Sequence, residues 1–366
     1  MRVLHVIPFL WSGAGKVVTR LCETQRASHQ VHVATSVSSK GQTDWRAYRL
    51  RLKRAGIVHH RLDTFDRSPE VMWASIEALT TLIARVEPDV LHAHAGVPAA
   101  VCAIARDSAR VRPRLVAHMY SWGTGRPSWM NQMDAWAFSR ADAVVVSAHA
   151  YADVLTELGV PERRLHYIPW GIDFPEAMRV TSGARRGAAP ATLGFVGRIE
   201  PRKRQLDLVK AVGQLAKHRP GVRLDLVGPV ADPAYAARIE HEVRRARLES
   251  AVRMHGRVRE VWPRLRALDL FVSLSADEGQ GLAVLEAMSI GVPVASLIVP
   301  GIEDYLRPGV TGIALEDGPS HHLAAQLDAA LAAPATLRRL AARAAAKTRK
   351  DYAWSRTIDR IARLYR

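Results

Sequence analysis

Cysteine is nearly absent from this chain, which has two, Cys22 and Cys102, in 366 residues. Both stand in apolar helical settings with no ligand spacing around them. This excludes a disulfide framework and a thiolate metal centre, and it fits a reduced, cytoplasmic interior. Long apolar runs are missing as well. The stretch Val3 to Trp11 is broken by His5 and Pro8 and lacks a small-residue cleavage site, so it reads as a buried strand and not as a leader. Nowhere do about eighteen uncharged apolar residues follow one another, which excludes a bilayer-spanning helix. Low-complexity tracts are absent, and 48% apolar with 24% charged residues is the profile of a globular protein. Acidic residues are few beside basic ones, 35 against 52, and the net charge is +17. A surplus of this size attracts polyanions through counterion release and surface potential. Candidate partners are therefore nucleic acid, polyphosphate-bearing substrates and the anionic inner membrane surface, with no obligate protein partner implied. An arginine-rich and alanine-rich composition without a functional role is the competing explanation.

The length calls for two domains. Short apolar strands alternate with amphipathic helices throughout, which is the pattern of parallel sheets covered by helices on both faces, an α/β class. In a first domain, 1–172, strands are expected at Val3–Phe9, Gln30–Thr35, Val58–Leu62, Val90–His94, Arg114–His118, Ala143–Ser147 and Leu165–Ile168. The apolar period then lapses, so 173–191 is read as a linker. A second series, in a domain spanning 192–350, runs through Thr192–Val196, Arg223–Val227, Val252–His255, Leu270–Ser273, Pro293–Ser296 and Gly312–Leu315. The last segment, 351–366, carries Trp354, Ile358, Ile361 and Tyr365 at helical spacing and is expected to close the chain as a helix. Both domains are doubly wound, and such sheets bind ligands beyond the carboxyl ends of their strands. The chemistry should sit on strand-to-helix loops.

The most informative stretch runs Ser275-Ala276-Asp277-Glu278-Gly279-Gln280-Gly281-Leu282-Ala283-Val284-Leu285-Glu286 and continues Ala287-Met288-Ser289-Ile290-Gly291-Val292-Pro293-Val294. It leaves an apolar strand and turns into a helix. Glu278 lies in the loop, while Glu286 is placed two turns into the helix on the ligand side. Gly279 and Gly281 remove Cβ atoms where a ligand must approach the backbone. The amides from Gln280 through Leu282 to Ala283 then form a helix N-terminus suited to a diphosphate. One carboxylate suits the hydroxyls of a ribose and the other those of a sugar. Solvated helix carboxylates are the plain alternative.

A second element, Gly194-Phe195-Val196-Gly197-Arg198-Ile199-Glu200-Pro201-Arg202-Lys203-Arg204, follows the first strand of the second domain. Two cations on one such loop can clamp a pyrophosphate, the arginine as a planar fork and the lysine as a point charge. Arg202 and Arg204 read as solvated surface charges. In the first domain, Ser12-Gly13-Ala14-Gly15-Lys16 forms a short glycine loop ahead of a helix starting near Val17. His92 and His94 flank Ala93, and alternation is taken to send their rings to opposite faces, too far apart to share a metal. His118 ends the next strand. Each of these imidazoles is either a hydrogen-bonded core residue or a functional group.

These segments resemble the family 4 glycosyltransferases, whose GT-B fold pairs two Rossmann-like domains across a cleft. The resemblance is close over the second domain, where it includes the family's E-x7-E element, and looser over the first. It implies that Glu278 contacts the donor sugar, that Glu286 contacts the ribose, and that Arg198 and Lys203 neutralise the phosphates. Gly13 and Gly15 would wrap the diphosphate, Gly197 would close the turn before Arg198, and Gly256, Arg257 and Val258 would seat the base. His118 would stand near the scissile bond, making His118, Arg198, Lys203 and Glu278 the catalytic candidates. Ile168-Pro169-Trp170-Gly171-Ile172-Asp173 resembles the landmark before the interdomain crossover, with Trp170 where the family usually has Asn. Pro300-Gly301-Ile302-Glu303-Asp304 has one glycine where a pair is usual, and Arg204 replaces a customary glycine. The first domain reads acceptors that differ between enzymes. The candidate acceptor contacts are His94, Trp122 and Trp129, the tryptophans bounding the loop Trp122-Gly123-Thr124-Gly125-Arg126-Pro127-Ser128-Trp129. For one of the two tryptophans, core packing is the plainer alternative.

The expected activity is transfer of a hexose-type sugar from a UDP- or GDP-linked donor, with retention, without metal and without a resident cofactor. No Asp-x-Asp motif or His/Cys ligand spacing occurs at a plausible site. No side chain stands out as a nucleophile, which suits the family's front-face mechanism. The alternatives are a nucleotide-sugar epimerase or a phosphorylase of the same fold, and a non-enzymatic polyanion-binding protein.

Overall fold

The computed structural model describes residues 1–10, 12–36, 44–62, 68–122, 127–174 and 190–366, with only the backbone of Ser12, Asp44 and Trp45. Residues 175–189 of the expected linker and 123–126 of the expected acceptor loop lie outside the described residues. The chain forms two compact units, Met1–Trp170 together with Trp354–Arg366, and Gly171–Ala353.

The first unit contains β1 (Arg2–Val6), β2 (Gln30–Thr35), β3 (Val58–Arg61), β4 (Val90–His94), β5 (Arg114–Met119), β6 (Ala143–Val146) and β7 (Leu165–Tyr167). The intervening helices are α1 (Ser12–Gln25), α2 (Asp44–Arg54), α3 (Pro69–Val86), α4 (Gly96–Ser108), α5 (Ser128–Ser139) and α6 (His149–Glu157). The sheet order is β3-β2-β1-β4-β5-β6-β7 with every pairing parallel. Central strands are mostly apolar and buried at nearly every position, as strands of parallel sheets are. β6, Ala-Val-Val-Val, is buried at every position. Helix α3 turns Ile76, Leu79 and Ile83 into the core at spacings of three and four, then stops where Glu87 takes a left-handed conformation ahead of Pro88.

The second unit contains β8 (Thr192–Val196), β9 (Arg223–Val227), β10 (Val252–Gly256), β11 (Leu270–Ser273), β12 (Val294–Leu297) and β13 (Ile313–Leu315). Its helices are α7 (Gln205–Leu215), α8 (Pro233–Arg245), α9 (Trp262–Arg266), α10 (Leu282–Ser289), α11 (Ser320–Leu331) and α12 (Pro334–Asp351). The order is β10-β9-β8-β11-β12-β13, again parallel. The order reverses between β8 and β11, so the loops leaving these neighbours emerge side by side. The same reversal lies between β1 and β4 in the first unit. The last helix, α13 (Trp354–Leu364), belongs to the first unit. It buries Trp354 and Ile361, stacks Trp354 on Trp170 and donates from Thr357 Oγ1 to the Pro169 carbonyl at 2.8 Å.

Each expected strand is present, five of them with the expected bounds and the rest with shifted ends. β1 stops at Val6, because Pro8 has no N–H for a ladder. Two placements need correcting. Helix α1 starts at Ser12, not near Val17, so Gly13 and Gly15 belong to its first turn and not to a loop. The reason is packing: a Cβ on Gly15 would fall 2.7 Å from the Leu10 carbonyl carbon, so the helix can close against the strand's exit only without one. Glu286 is the fifth residue of α10, just past one turn and not two.

Candidate functional site

At the switch point of the second unit the loop after β8 meets the loop after β11. Gly197 leaves β8 with its carbonyl against Gly228, where a Cβ would fall 1.9 Å from that oxygen. Arg198 follows, its carbonyl held by Gln205 Nε2 at 2.7 Å. A 3₁₀ turn, Pro201–Lys203, then buries Lys203, whose Nζ lies 2.5 Å from Glu278 Oε1. The sequence-expected Arg198, Lys203 and Glu278 are thus brought together on two adjacent strand ends. Gly279 and Gln280 lead to Gly281, which caps α10 with φ +64, so the helix begins directly off this loop. Glu286, one turn on, is buried.

Four features of these loops were not legible in the sequence. Arg202 is no solvated charge: it donates from Nη1 to the Asp277 carbonyl at 2.9 Å and to its Oδ2 at 3.1 Å, and from Nη2 to Glu200 at 3.2 Å. Arg204 is likewise engaged, with both prongs on Asp317 at 2.8 Å and its Nε on Asp207. It also explains the usual glycine at its position, because its φ is +55. Tyr305, fully buried, donates its hydroxyl to the Gln280 carbonyl at 3.0 Å. Gly301, at φ +84, passes so close beneath that a Cβ would fall 2.7 Å from the Glu278 carbonyl oxygen. Gly256, Arg257 and Val258 lie at the end of β10, the edge strand, separated from β11 by β9 and β8. Arg257 is exposed there.

In the first unit, the strand ends at the switch point carry imidazoles. His92 and His94 do not face opposite ways: their rings stack at 4.3 Å, since side chains alternate with a period of two and residues i and i+2 share a face. His5 joins them from β1. Gln25 Oε1 accepts from His5 Nε2 at 2.8 Å, so His5 Nδ1 must accept from His94 Nε2 at 3.0 Å, and His94 Nδ1 from the Tyr120 hydroxyl at 2.8 Å. Gln25 Nε2 donates to the Tyr365 hydroxyl, which donates to His92 Nδ1 at 2.7 Å. The chain of bonds leaves the proton of His92 on Nε2, buried and without a partner among the described residues. His118, stacked on Trp170 at 4.5 Å, has neither ring nitrogen bonded among the described residues.

Burial disfavours the charged imidazole here. It lowers His118 to about 3 and His5 to about 4, and, with the neighbouring histidines, holds His92 and His94 well below the ordinary value. Ring nitrogens of His5, His92 and His94 lie within 4.8 Å of one another, the spacing of a metal cluster. Two of them are spent on each other, however, and the stacked rings of His92 and His94 send their in-plane lone pairs along near-parallel planes. Convergence on one ion would require the rings to turn. The arrangement suits a neutral hydrogen-bonded network. Of the acceptor candidates, His94 is wholly inside this network, Trp122 packs partly buried against the core, and Trp129 on α5 is 52% exposed.

Both cysteines are buried thiols. Among the described residues no helix is long and apolar enough to cross a membrane.

Two family models match the chain, "Glycosyltransferase Family 4" over residues 11–174 and "Glycosyl transferases group 1" over residues 185–348. Glycogen synthase of Mycobacterium tuberculosis is 28% identical over 291 residues, covering 76% of this chain and 68% of its own. D-inositol 3-phosphate glycosyltransferase of Mycolicibacterium paratuberculosis is 28% identical over 335 residues, covering 83% and 73%. The alignment with the Segniliparus rotundus enzyme of the same name spans 53% of that protein. Among solved structures, Anabaena HepE in complex with UDP and glucose superposes with a TM-score of 0.83 at 19% identity, covering 99% of this chain and 98% of the other. With one model on each unit and the fold shared along the whole length, the chain belongs to the family 4 glycosyltransferases of GT-B fold and is an enzyme that uses a nucleotide sugar.

Proposed function

We propose that this enzyme moves a hexose-type sugar from a UDP- or GDP-linked donor to an acceptor hydroxyl with retention, using neither a metal ion nor a resident cofactor. The observation that carries this is the meeting of Arg198, Lys203, Glu278 and the α10 N-terminus on the exit loops of two neighbouring parallel strands. Two cations and a helix N-terminus supply the charge that a divalent ion would otherwise bring to a departing diphosphate. Glu278 serves the sugar and Glu286 the ribose. Glycogen synthase among the relatives, and UDP with glucose in HepE, favour a hexose and a uridine donor. The acceptor oxygen attacks the anomeric carbon on the face from which the diphosphate leaves. The C–O bond breaks with its electron pair passing to the phosphate oxygen, which takes the acceptor proton. His118, neutral and with both nitrogens unpartnered among the described residues, would act as a hydrogen-bonding group and not as a charged acid.

The acceptor is a glycan, a lipid-linked or small molecule, or modified DNA. The relatives acting on inositol phosphate and the charge of +17 favour one that bears phosphate. The enzyme would then work on the cytoplasmic side, peripheral to the inner membrane surface. A thermal-shift screen of UDP- and GDP-sugars identifies the donor, because a ligand that binds only the folded state raises its melting temperature by mass action. The anomer released on slow donor hydrolysis is then read by NMR in the presence of EDTA. An inverted product, or activity abolished by the chelator, overturns the respective part of the proposal.

A further inference from the structure

We propose that Arg202 is a positioning residue that fastens the two donor loops together and so sets Arg198 and Glu278 for the diphosphate; this rests on the donor-site reading above. Its guanidinium bridges the loops. One prong holds the carbonyl and carboxylate of Asp277 at 2.9 and 3.1 Å, and the other holds Glu200 Oε1 at 3.2 Å. That same oxygen accepts from Arg198 Nη2 at 3.0 Å. A backbone bond from Ala276 N to the Arg202 carbonyl, 2.9 Å, makes a second stitch between the same segments.

Arg202 therefore touches the residue before Glu278 on one side and the partner of Arg198 on the other. Its prongs are spent on protein, so it acts through these neighbours. Without it, Glu200 keeps Arg198 as its cation among the described residues and draws that fork toward itself, while Asp277, 8% exposed, loses the Arg202 charge beside Glu278. Both changes set carboxylate charge against an incoming pyrophosphate. A lysine cannot substitute, because one ammonium does not span two acceptors as a planar fork does.

The test measures nucleoside mono- and diphosphate affinity by calorimetry, with UMP and UDP or with GMP and GDP, whichever pair the wild-type enzyme binds. Arg202→Ala should weaken the diphosphate about tenfold and leave the monophosphate within about twofold, because the loss is read at the outer phosphate. Arg202→Lys should recover less than half of that loss on a logarithmic scale. Asp317→Asn, which breaks the ion pair of the adjacent Arg204, should change neither affinity. Unchanged diphosphate affinity in Arg202→Ala overturns the proposal. So does an equal loss for both nucleotides, full recovery with lysine, or the same loss in Asp317→Asn, each of which reports general loosening or no role. Wild-type enzyme that binds neither UDP nor GDP overturns the donor-site reading itself, and this inference with it.

Discussion

Lys203 and Glu278 form an ion pair at 2.5 Å, with both side chains nearly enclosed. On the proposed reading one grips phosphate and the other grips sugar, so in the free enzyme each occupies the other's ligand position. A nucleoside diphosphate must draw Lys203 away from Glu278. Glu278→Gln should therefore tighten diphosphate binding by about threefold to tenfold, since the competing charge is gone, while transfer falls by at least about a hundredfold for want of the sugar contact. Lys203→Ala should weaken diphosphate binding. Calorimetry with the free diphosphate, set beside turnover of the sugar donor, separates the two effects. Weaker binding in Glu278→Gln would show that the pair organises the site and does not restrain it.

Gly301 underlies the same loop. At φ +84 an alanine is strained, and its Cβ would also press on the carbonyls of Glu278 and Gly279 at 2.7 and 2.8 Å. Gly301→Ala should lower stability by roughly 1–3 kcal/mol and cut turnover beyond what the melting temperature explains. Tyr305→Phe, which removes only the hydroxyl on Gln280, should cost about 1 kcal/mol. Turnover matching wild type in a folded Gly301→Ala enzyme would show that the loop adjusts.

Arg204 allows backbone strain to be separated from charge. Its left-handed conformation favours glycine, and its bonds to Asp317 and Asp207 favour arginine. Arg204→Gly loses the ion pairs but relieves the backbone, whereas Arg204→Ala loses both advantages. The glycine variant should therefore be the more stable of the two by roughly 1 kcal/mol in urea unfolding. The reverse order would mean that the conformation carries no strain.

The strands were legible because each central one is a mostly apolar segment of four to six residues that ends in a turn signal. Glu278, Arg198 and Lys203 were legible because they lie on short motifs. Their meeting was not, since it follows from β8 and β11 being neighbours, and strand order is a property of the whole sheet. Arg202 and Tyr305 escaped for a related reason. Each acts on a segment far along the chain, Arg202 on Asp277 and Tyr305 on Gln280, and nothing next to either residue announces the partner. The placement of His92 and His94 on opposite faces was a misapplied period, for which the spacing of two was sufficient warning.

The buried imidazoles make stability depend on pH with a definite sign. His118 and His5 titrate near 3 and 4 in the folded enzyme against an ordinary 6.5, with His92 and His94 also lowered, so the unfolded chain takes up protons that the native chain refuses. Their contribution is complete above about pH 6.5 and is lost as the pH falls toward the folded values, each group costing about 1.4 kcal/mol per pH unit in that window. The melting temperature should hold between pH 7 and 8 and fall steeply below about 6. His118→Phe should flatten that slope. The pH profile of turnover should show no ionisation from His118 between about pH 5 and 8. A slope identical in His118→Phe would remove this imidazole as its source.

The charge of +17 leads to the remaining prediction, which concerns α2. Its Leu52 is buried, and Tyr48 turns inward beside Gly15, so these two apolar side chains are already used against the first unit's own core. What the helix leaves exposed is Arg46, Arg49, Lys53 and Arg54 around Leu50, itself 47% exposed. That face can attract an anionic surface electrostatically but inserts little. Binding to vesicles rich in anionic lipid should therefore be measurable at low salt and fall at least about tenfold between 50 and 200 mM, as screening and counterion release weaken it. The double variant Lys53→Glu, Arg54→Glu should weaken it further by about 1 kcal/mol or more per residue, without changing affinity for the nucleotide. Co-sedimentation at both salt concentrations reads each effect. Retention that persists at 200 mM would point to an inserted apolar anchor elsewhere in the chain, and no retention at either concentration would leave the charge to a soluble anionic acceptor.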